Sequence, residues 1–163
     1  MKKYYLLLIV AFTSLIYSCI KDPGLNDEFA DMEGWIDMSQ HNRFNERYFY
    51  NDWKGSKMLR EVYVDGVLQS SEDRTDFWGK ESFTLNKDHT IAFNGTKGDW
   101  LYSHNCLMFY ISGGYNWYEV LESKPGFLRL REEDYPVGSS FTPYYKDKSG
   151  EHRFIIFEYK GTE

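Results

Sequence analysis

The side chains that could do chemistry are few and scattered. The four histidines, His41, His89, His104 and His152, fall mostly in turn-like stretches. His104-x-Cys106 has the ligand types of a metal site, but no second pair at ligand spacing accompanies it. A solvated turn histidine beside a strand cysteine is the simpler reading. Cys106 adjoins Leu107 in an apolar run and reads as a buried, inert thiol. The run Glu132-Glu133-Asp134 offers oxygen ligands for a hard cation, and equally the composition of a solvated acidic loop. No Gly-x-Ser-x-Gly elbow occurs, and Ser112-Gly113-Gly114 lacks the Lys-Ser/Thr of a phosphate loop. No specific carboxylate pair stands out for glycoside hydrolysis. The chain therefore reads as non-catalytic, with no cofactor and no metal.

Binding is the better expectation. Aromatic residues make up 19 % of the chain, including 14 Tyr and 12 Phe. Ligand cavities are mostly apolar with a few placed polar groups. Alternation along adjacent strands nominates Tyr102, Phe109, Tyr115, Trp117 and Arg129 to line one face. Tyr144 and Tyr145 lie in a long loop and could cover the mouth as a lid. The same aromatics could instead pack a solid core, since a small eight-stranded barrel is just filled by its own side chains. A different class of function is also open. Trp35, Trp78 and Trp117 could form platforms for sugar rings, giving a surface glycan-binding module, or the barrel could be a structural or assembly module.

The elements that must position these residues are strands. Residues 81–111 alternate apolar and polar side chains and are cut by Asn86-Lys87-Asp88-His89, Asn94-Gly95, Lys97-Gly98 and Ser103-His104-Asn105. That pattern predicts four short strands in an antiparallel meander. Further strands are predicted at 57–64, 115–121, 127–131 and 152–159, with 67–69 continuing the first beyond its Asp65-Gly66 turn. Residues 132–150 have no strand pattern. In residues 27–52, Phe29, Met32 and Ile36 at helical spacing predict one short helix that plugs an end of the barrel. The expected fold is all-β: an eight-stranded antiparallel up-and-down barrel with a short N-terminal helical segment, closed because closure removes both edges.

The start of the chain reads differently. Lys2-Lys3 precede an apolar run that ends at Ile16-Tyr17-Ser18-Cys19, as in a secretory signal peptide. The Ile-x-Ser-Cys ending resembles the lipobox of bacterial lipoproteins, which implies a lipidated Cys19 and an anchor in the outer membrane. Several acyl chains on one residue hold firmly, at about 0.8 kcal/mol per buried CH₂. Residues 19–26 form the tether, and Lys21-Asp22 resembles the export signal of Bacteroides-type surface lipoproteins. Residues 27–163 form one domain. Without Lys2 and Lys3 the chain carries 17 basic against 25 acidic side chains, a balance of −8. That argues against nucleic acid as a partner.

Several features together resemble the lipocalin-like lipoproteins of Bacteroides-type bacteria. They are the lipoprotein signal, Trp53-Lys54 before the first strand, the Tyr63-Val64-Asp65-Gly66 turn, the Phe83-Thr84-Leu85 … Asp88-His89-Thr90 hairpin and Gly98-Asp99-Trp100. The resemblance spans about residues 50–160. The signature Gly-x-Trp reads Asn51-Asp52-Trp53 here, without its glycine, while Gly98-Asp99-Trp100 fits the letters in a middle strand. The resemblance implies a small closed barrel that binds a small, partly apolar ligand without catalysis. It also implies that Trp53 caps the closed end against Arg153 near the last strand, by cation–π packing of about 0.5–2 kcal/mol.

Overall fold

The computed structural model of the chain describes residues 36–78, 81–134 and 144–162. Nine strands run in order: β1 Asn51–Val64, β2 Val67–Asp73, β3 Ser82–Leu85, β4 Thr90–Phe93, β5 Thr96–Ser103, β6 Cys106–Ile111, β7 Gly114–Lys124, β8 Phe127–Glu133 and β9 Glu151–Gly161. Every pairing is antiparallel. From β3 to β9 each strand lies beside its successor, and β1 closes the ring by pairing with both β3 and β9. β1 and β3–β9 thus make a closed, eight-stranded, up-and-down barrel, as the spacing of turns predicts.

Tight turns set this order. Asp65-Gly66, Asn94-Gly95, His104-Asn105 and Ser112-Gly113 each place two consecutive residues at positive φ. That is the two-residue hairpin geometry whose twist matches the flanking strands. Residues 67–69 do not extend the first strand. The turn at Asp65-Gly66 folds them back as β2, which pairs with the upper half of β1 and lies outside the ring. All of β2 is exposed, because its partner's inner face already belongs to the barrel.

The seam is long. β1 pairs with β9 from Trp53 opposite Gly161 to Val64 opposite Glu151, with a bulge between Gly55 and Lys57. The bulge resets the alternation, so that Trp53, Gly55, Met58 and Arg60 fall on the inward face. Gly55 is where the chain needs a hydrogen: a Cβ there would overlap the six-membered ring of Trp78.

The lower end of the barrel is sealed. Residues 42–50 run under it and contain one 3-10 turn, Glu46–Tyr48, capped by the Asn45 side chain. The helix expected around Phe29 and Met32 lies outside the described residues, and the described part of that stretch holds no α-helix. Phe49 enters the barrel from below and meets Tyr102 and Trp100 edge-on, at 4.6 and 6.2 Å between ring centroids. Above it Trp53, Phe83, Leu85, Ile91, Leu107, Phe109, Val120, Leu128 and Leu130 complete a continuous core. Burying each large side chain of this kind contributes about 1.5–3 kcal/mol. The floor is therefore filled with rings and leucines.

Candidate functional site

Above this floor the inward face changes character. Moving up the barrel wall, Tyr159 of β9 sits opposite Gly55 of β1, and Phe157 opposite Met58. The next inward layer holds Ile155 opposite both Arg60 and Glu132. Tyr118 of β7 is next to that layer, one position beyond the Glu119–Arg131 pair. Glu81 joins from the segment before β3, where its carbonyl accepts a hydrogen bond from Gly55 N–H at 2.9 Å. Trp78, just after a 3-10 turn at Thr75–Phe77, drops its ring over Gly55 and packs on Phe157 and Tyr159 at 5.4 and 5.5 Å.

The result is an upper layer of the core in which aromatic rings and polar side chains meet. Burial pushes the Glu81 carboxyl above its ordinary range, and the nearby Trp78 indole N–H partly opposes that. The indole nevertheless closes no hydrogen bond of ordinary geometry. Burial raises Glu132 as well, and the neighbouring acids Asp134 and Glu81 add to the effect. The Tyr118 and Tyr159 phenols are raised mainly by burial, with Glu81 and Glu132 contributing to both. Tyr159 is only 2 % exposed and Tyr118 9 %. Arg60 Nε, in the same layer, is buried without a partner while its Nη2 reaches Asp134 at 3.3 Å. Buried polar groups are normally satisfied, so Arg60 Nε and Trp78 Nε1 are two unmet donors in this layer.

A concavity lies on the outside of the wall. It has a volume of about 270 Å³ and is bordered by Trp117, Tyr144, Tyr145, Cys106, Glu119 and Arg131 among others. Arg131 makes a two-pronged ion pair with Glu119 and lies over the Phe154 ring at 4.5 Å. His152 Nδ1 faces Glu133 at 2.7 Å and its Nε2 faces the Ser149 carbonyl at 3.2 Å, which fixes the ring beside this concavity. Cys106 faces the same side, and burial pushes its thiol up to about 12, the opposite of a nucleophile.

The residues nominated from the sequence separate into different places. Tyr102 and Phe109 point into the filled floor. Tyr102 is held there by Arg43 N–H and Phe44 N–H donating to its hydroxyl, which itself donates to Asn105 Oδ1 at 3.1 Å. Trp117, Tyr144 and Tyr145 come together at the outer concavity. Tyr115 stacks on Tyr110 on the outer wall, both exposed. Arg129 faces outward towards Glu158 at 3.7 Å. Strand alternation gives which residues share a face, and which face becomes the lumen is set only by closure.

Trp53 caps the closed end at 1 % exposure, but not against Arg153. Arg153 lies opposite Val62 near the other end of the seam and pairs with Glu151. The Trp53 indole donates instead to the Phe49 carbonyl at 2.8 Å. Cys19 and Trp35 lie outside the described residues. Trp78, nominated as a surface platform, is turned into the barrel. Sequence reading did not single out Glu81, Tyr118 and Tyr159, and it took Glu132 only as part of an acidic run that could hold a hard cation. For Glu132 the signal is an acid at an inward position of a strand, opposite Ile155, which becomes readable once the register is known.

Comparison of the chain with protein-family models, curated proteins and solved structures finds no match. The closed eight-stranded barrel is compatible with a lipocalin-like fold, and the buried aromatic cluster is consistent with ligand binding.

Proposed function

We propose that this protein is a non-catalytic, lipocalin-like barrel that binds a small, partly apolar molecule in the upper part of its lumen. It would act at the outer membrane, held there by a lipid on Cys19. The observation that carries the proposal is the closed barrel with its buried aromatic cluster, above whose floor two buried side-chain nitrogens, Trp78 Nε1 and Arg60 Nε, lack a hydrogen-bond partner. Such groups lose hydrogen-bonding free energy of about 1–3 kcal/mol each when left unmet. An occupant that meets them while filling the space beside Trp78 and Phe157 recovers that loss. The sealed lower end leaves the upper end as the route of entry.

Native mass spectrometry of the full chain purified from its own organism tests this. The expected result is a bound small molecule that is lost in Trp78→Ala. A bare protein that takes up nothing from an envelope extract would overturn it. A second reading, binding of a glycan on the outer face, draws support from the concavity where Trp117, Tyr144 and Tyr145 meet Glu119 and Arg131. Under that reading a glycan titration changes tryptophan fluorescence in the natural protein and fails to do so in Trp117→Ala.

A further inference from the structure

Residues 144–150 lie over the outer wall and bring Tyr144, Tyr145 and Lys148 to the edge of the outer concavity. They are fastened at three places. Gly150, at a φ of 78°, exchanges two hydrogen bonds with Asp65: its N–H donates to Oδ1 at 2.9 Å, and its carbonyl accepts from the Asp65 N–H at 3.0 Å. At the other end Tyr144 N–H donates to Glu133 Oε2 at 3.1 Å. Between the two stands His152, its side chain 9 % exposed beside a Glu133 side chain 11 % exposed.

The imidazole faces two acceptors at once. Its Nδ1 lies 2.7 Å from Glu133 Oε1, and its Nε2 lies 3.2 Å from the Ser149 carbonyl. A carbonyl has no proton to give, and neither has an ionised carboxylate. A neutral imidazole carries one N–H and satisfies only one of the two. Completing both contacts takes one more proton on the pair, as imidazolium with carboxylate or as imidazole with carboxylic acid. Without it a ring lone pair faces an oxygen lone pair where water scarcely reaches, and one contact is lost.

The other charged and titratable groups around the ring are engaged elsewhere. Tyr63, opposite His152 on β1, gives its hydroxyl to Glu61 Oε2 at 3.0 Å. Tyr144 meets the imidazole edge-on at 5.1 Å, and Lys148 Nζ stands over the Tyr144 ring at 5.5 Å. Asp147 accepts from Ser149 N–H at 2.8 Å. Arg131 pairs with Glu119, Arg60 with Asp134, and Arg153 with Glu151.

We propose that one proton shared by His152 and Glu133 fastens residues 144–149 to the barrel wall, and that its loss to solvent as pH rises frees them to swing about Gly150, away from the outer concavity. The clasp is complete at acid pH, while the pair holds the proton, and weakens towards alkaline pH. The inference concerns access to the concavity and stands apart from what the concavity binds.

NMR of the full chain tests it, with the His152 ring nitrogens and the backbone order parameters followed from about pH 5 to about pH 9. The ring nitrogens should titrate. At the same midpoint the order parameters of 144–149 should fall from the rigid range, about 0.85, to below about 0.6. The contact between the Tyr144 and Phe154 rings, at 5.1 Å, should be lost with them. Glu133→Gln should keep the segment rigid throughout, because its amide can donate to Nδ1 while its carbonyl still accepts from Tyr144 N–H. His152→Leu should leave it mobile at both ends of the range. The inference is overturned if His152 titrates while 144–149 stay rigid, if His152 does not titrate, or if Glu133→Gln still responds to pH. The titration of the natural sequence is decisive even if neither variant folds. Such a failure leaves the glycan reading, tested separately through Trp117→Ala, where it was.

Discussion

At the scale of single residues, two acids, Glu81 and Glu132, give the sharpest expectation. Glu81 and Glu132 each have a folded pKa above the ordinary value of 4.5, chiefly from burial. Between the two values the folded state holds more protons than the unfolded chain. Stability contributed by these groups is therefore complete below about pH 4.5, declines as pH rises through the raised folded values, and stays low above them. Glu81→Gln and Glu132→Gln should each raise the urea midpoint at pH 8 and have little effect at pH 4, as followed by circular dichroism. A gain at pH 4 equal to that at pH 8 would mean that ionisation has no part in it. Gly55 is the other informative position. Gly55→Ala places a methyl where the Trp78 ring lies, so the ring must leave. The emission of this variant should shift to the red as Trp78 meets water, and stability should drop by about 1–3 kcal/mol through lost packing.

At the scale of elements, the segment under the barrel is tied on by hydrogen bonds rather than by a helix. Asn105, in the turn between β5 and β6, holds the tie. Its backbone N–H donates to Asn42 Oδ1 at 3.1 Å, its Nδ2 donates to the Val120 carbonyl at 3.0 Å, and its Oδ1 accepts from Tyr102. Its φ of 58° suits asparagine better than most side chains. Asn105→Ala removes two buried side-chain partners and strains the turn, so a loss of about 2–4 kcal/mol in a denaturant titration is expected. Hydrogen exchange should then speed up in residues 42–50 before it does in β8 and β9, because the tie fails before the wall does.

For the whole molecule, closure through β1 and β9 is the decisive event. Leu59 lies opposite Ile156 on one side and Asp73 on the other, so β1 has neighbours on both sides there. Leu59→Pro should disrupt that ladder and cost about 3 kcal/mol or more. Gln69→Pro falls at the irregularity of the edge strand β2, outside the paired register, and should cost under about 1 kcal/mol. Thermal melts of the two variants compare them directly. Similar losses would show that β2 is as integral to the fold as the seam.

The sequence by itself determined the local plan. Alternation located the barrel strands, and the Asp65-Gly66, Asn94-Gly95 and Ser112-Gly113 turns fixed their antiparallel order, because twist and positive φ are properties of a few adjacent residues. It also marked Cys106 as inert. The tertiary structure decided which face became the inside. Alternation is the same for either face, so Phe109 went to the core while Trp117 and Arg129 went to the outer wall. It decided that Trp53 meets the Phe49 carbonyl rather than Arg153, since the β1–β9 register puts the two at opposite ends of the seam. It also brought Trp78 onto Gly55, Phe157 and Tyr159, far apart in the chain, in one layer of the core. Proximity across a closed barrel depends on register, bulges and strand tilt acting together, and no single stretch of sequence encodes that sum.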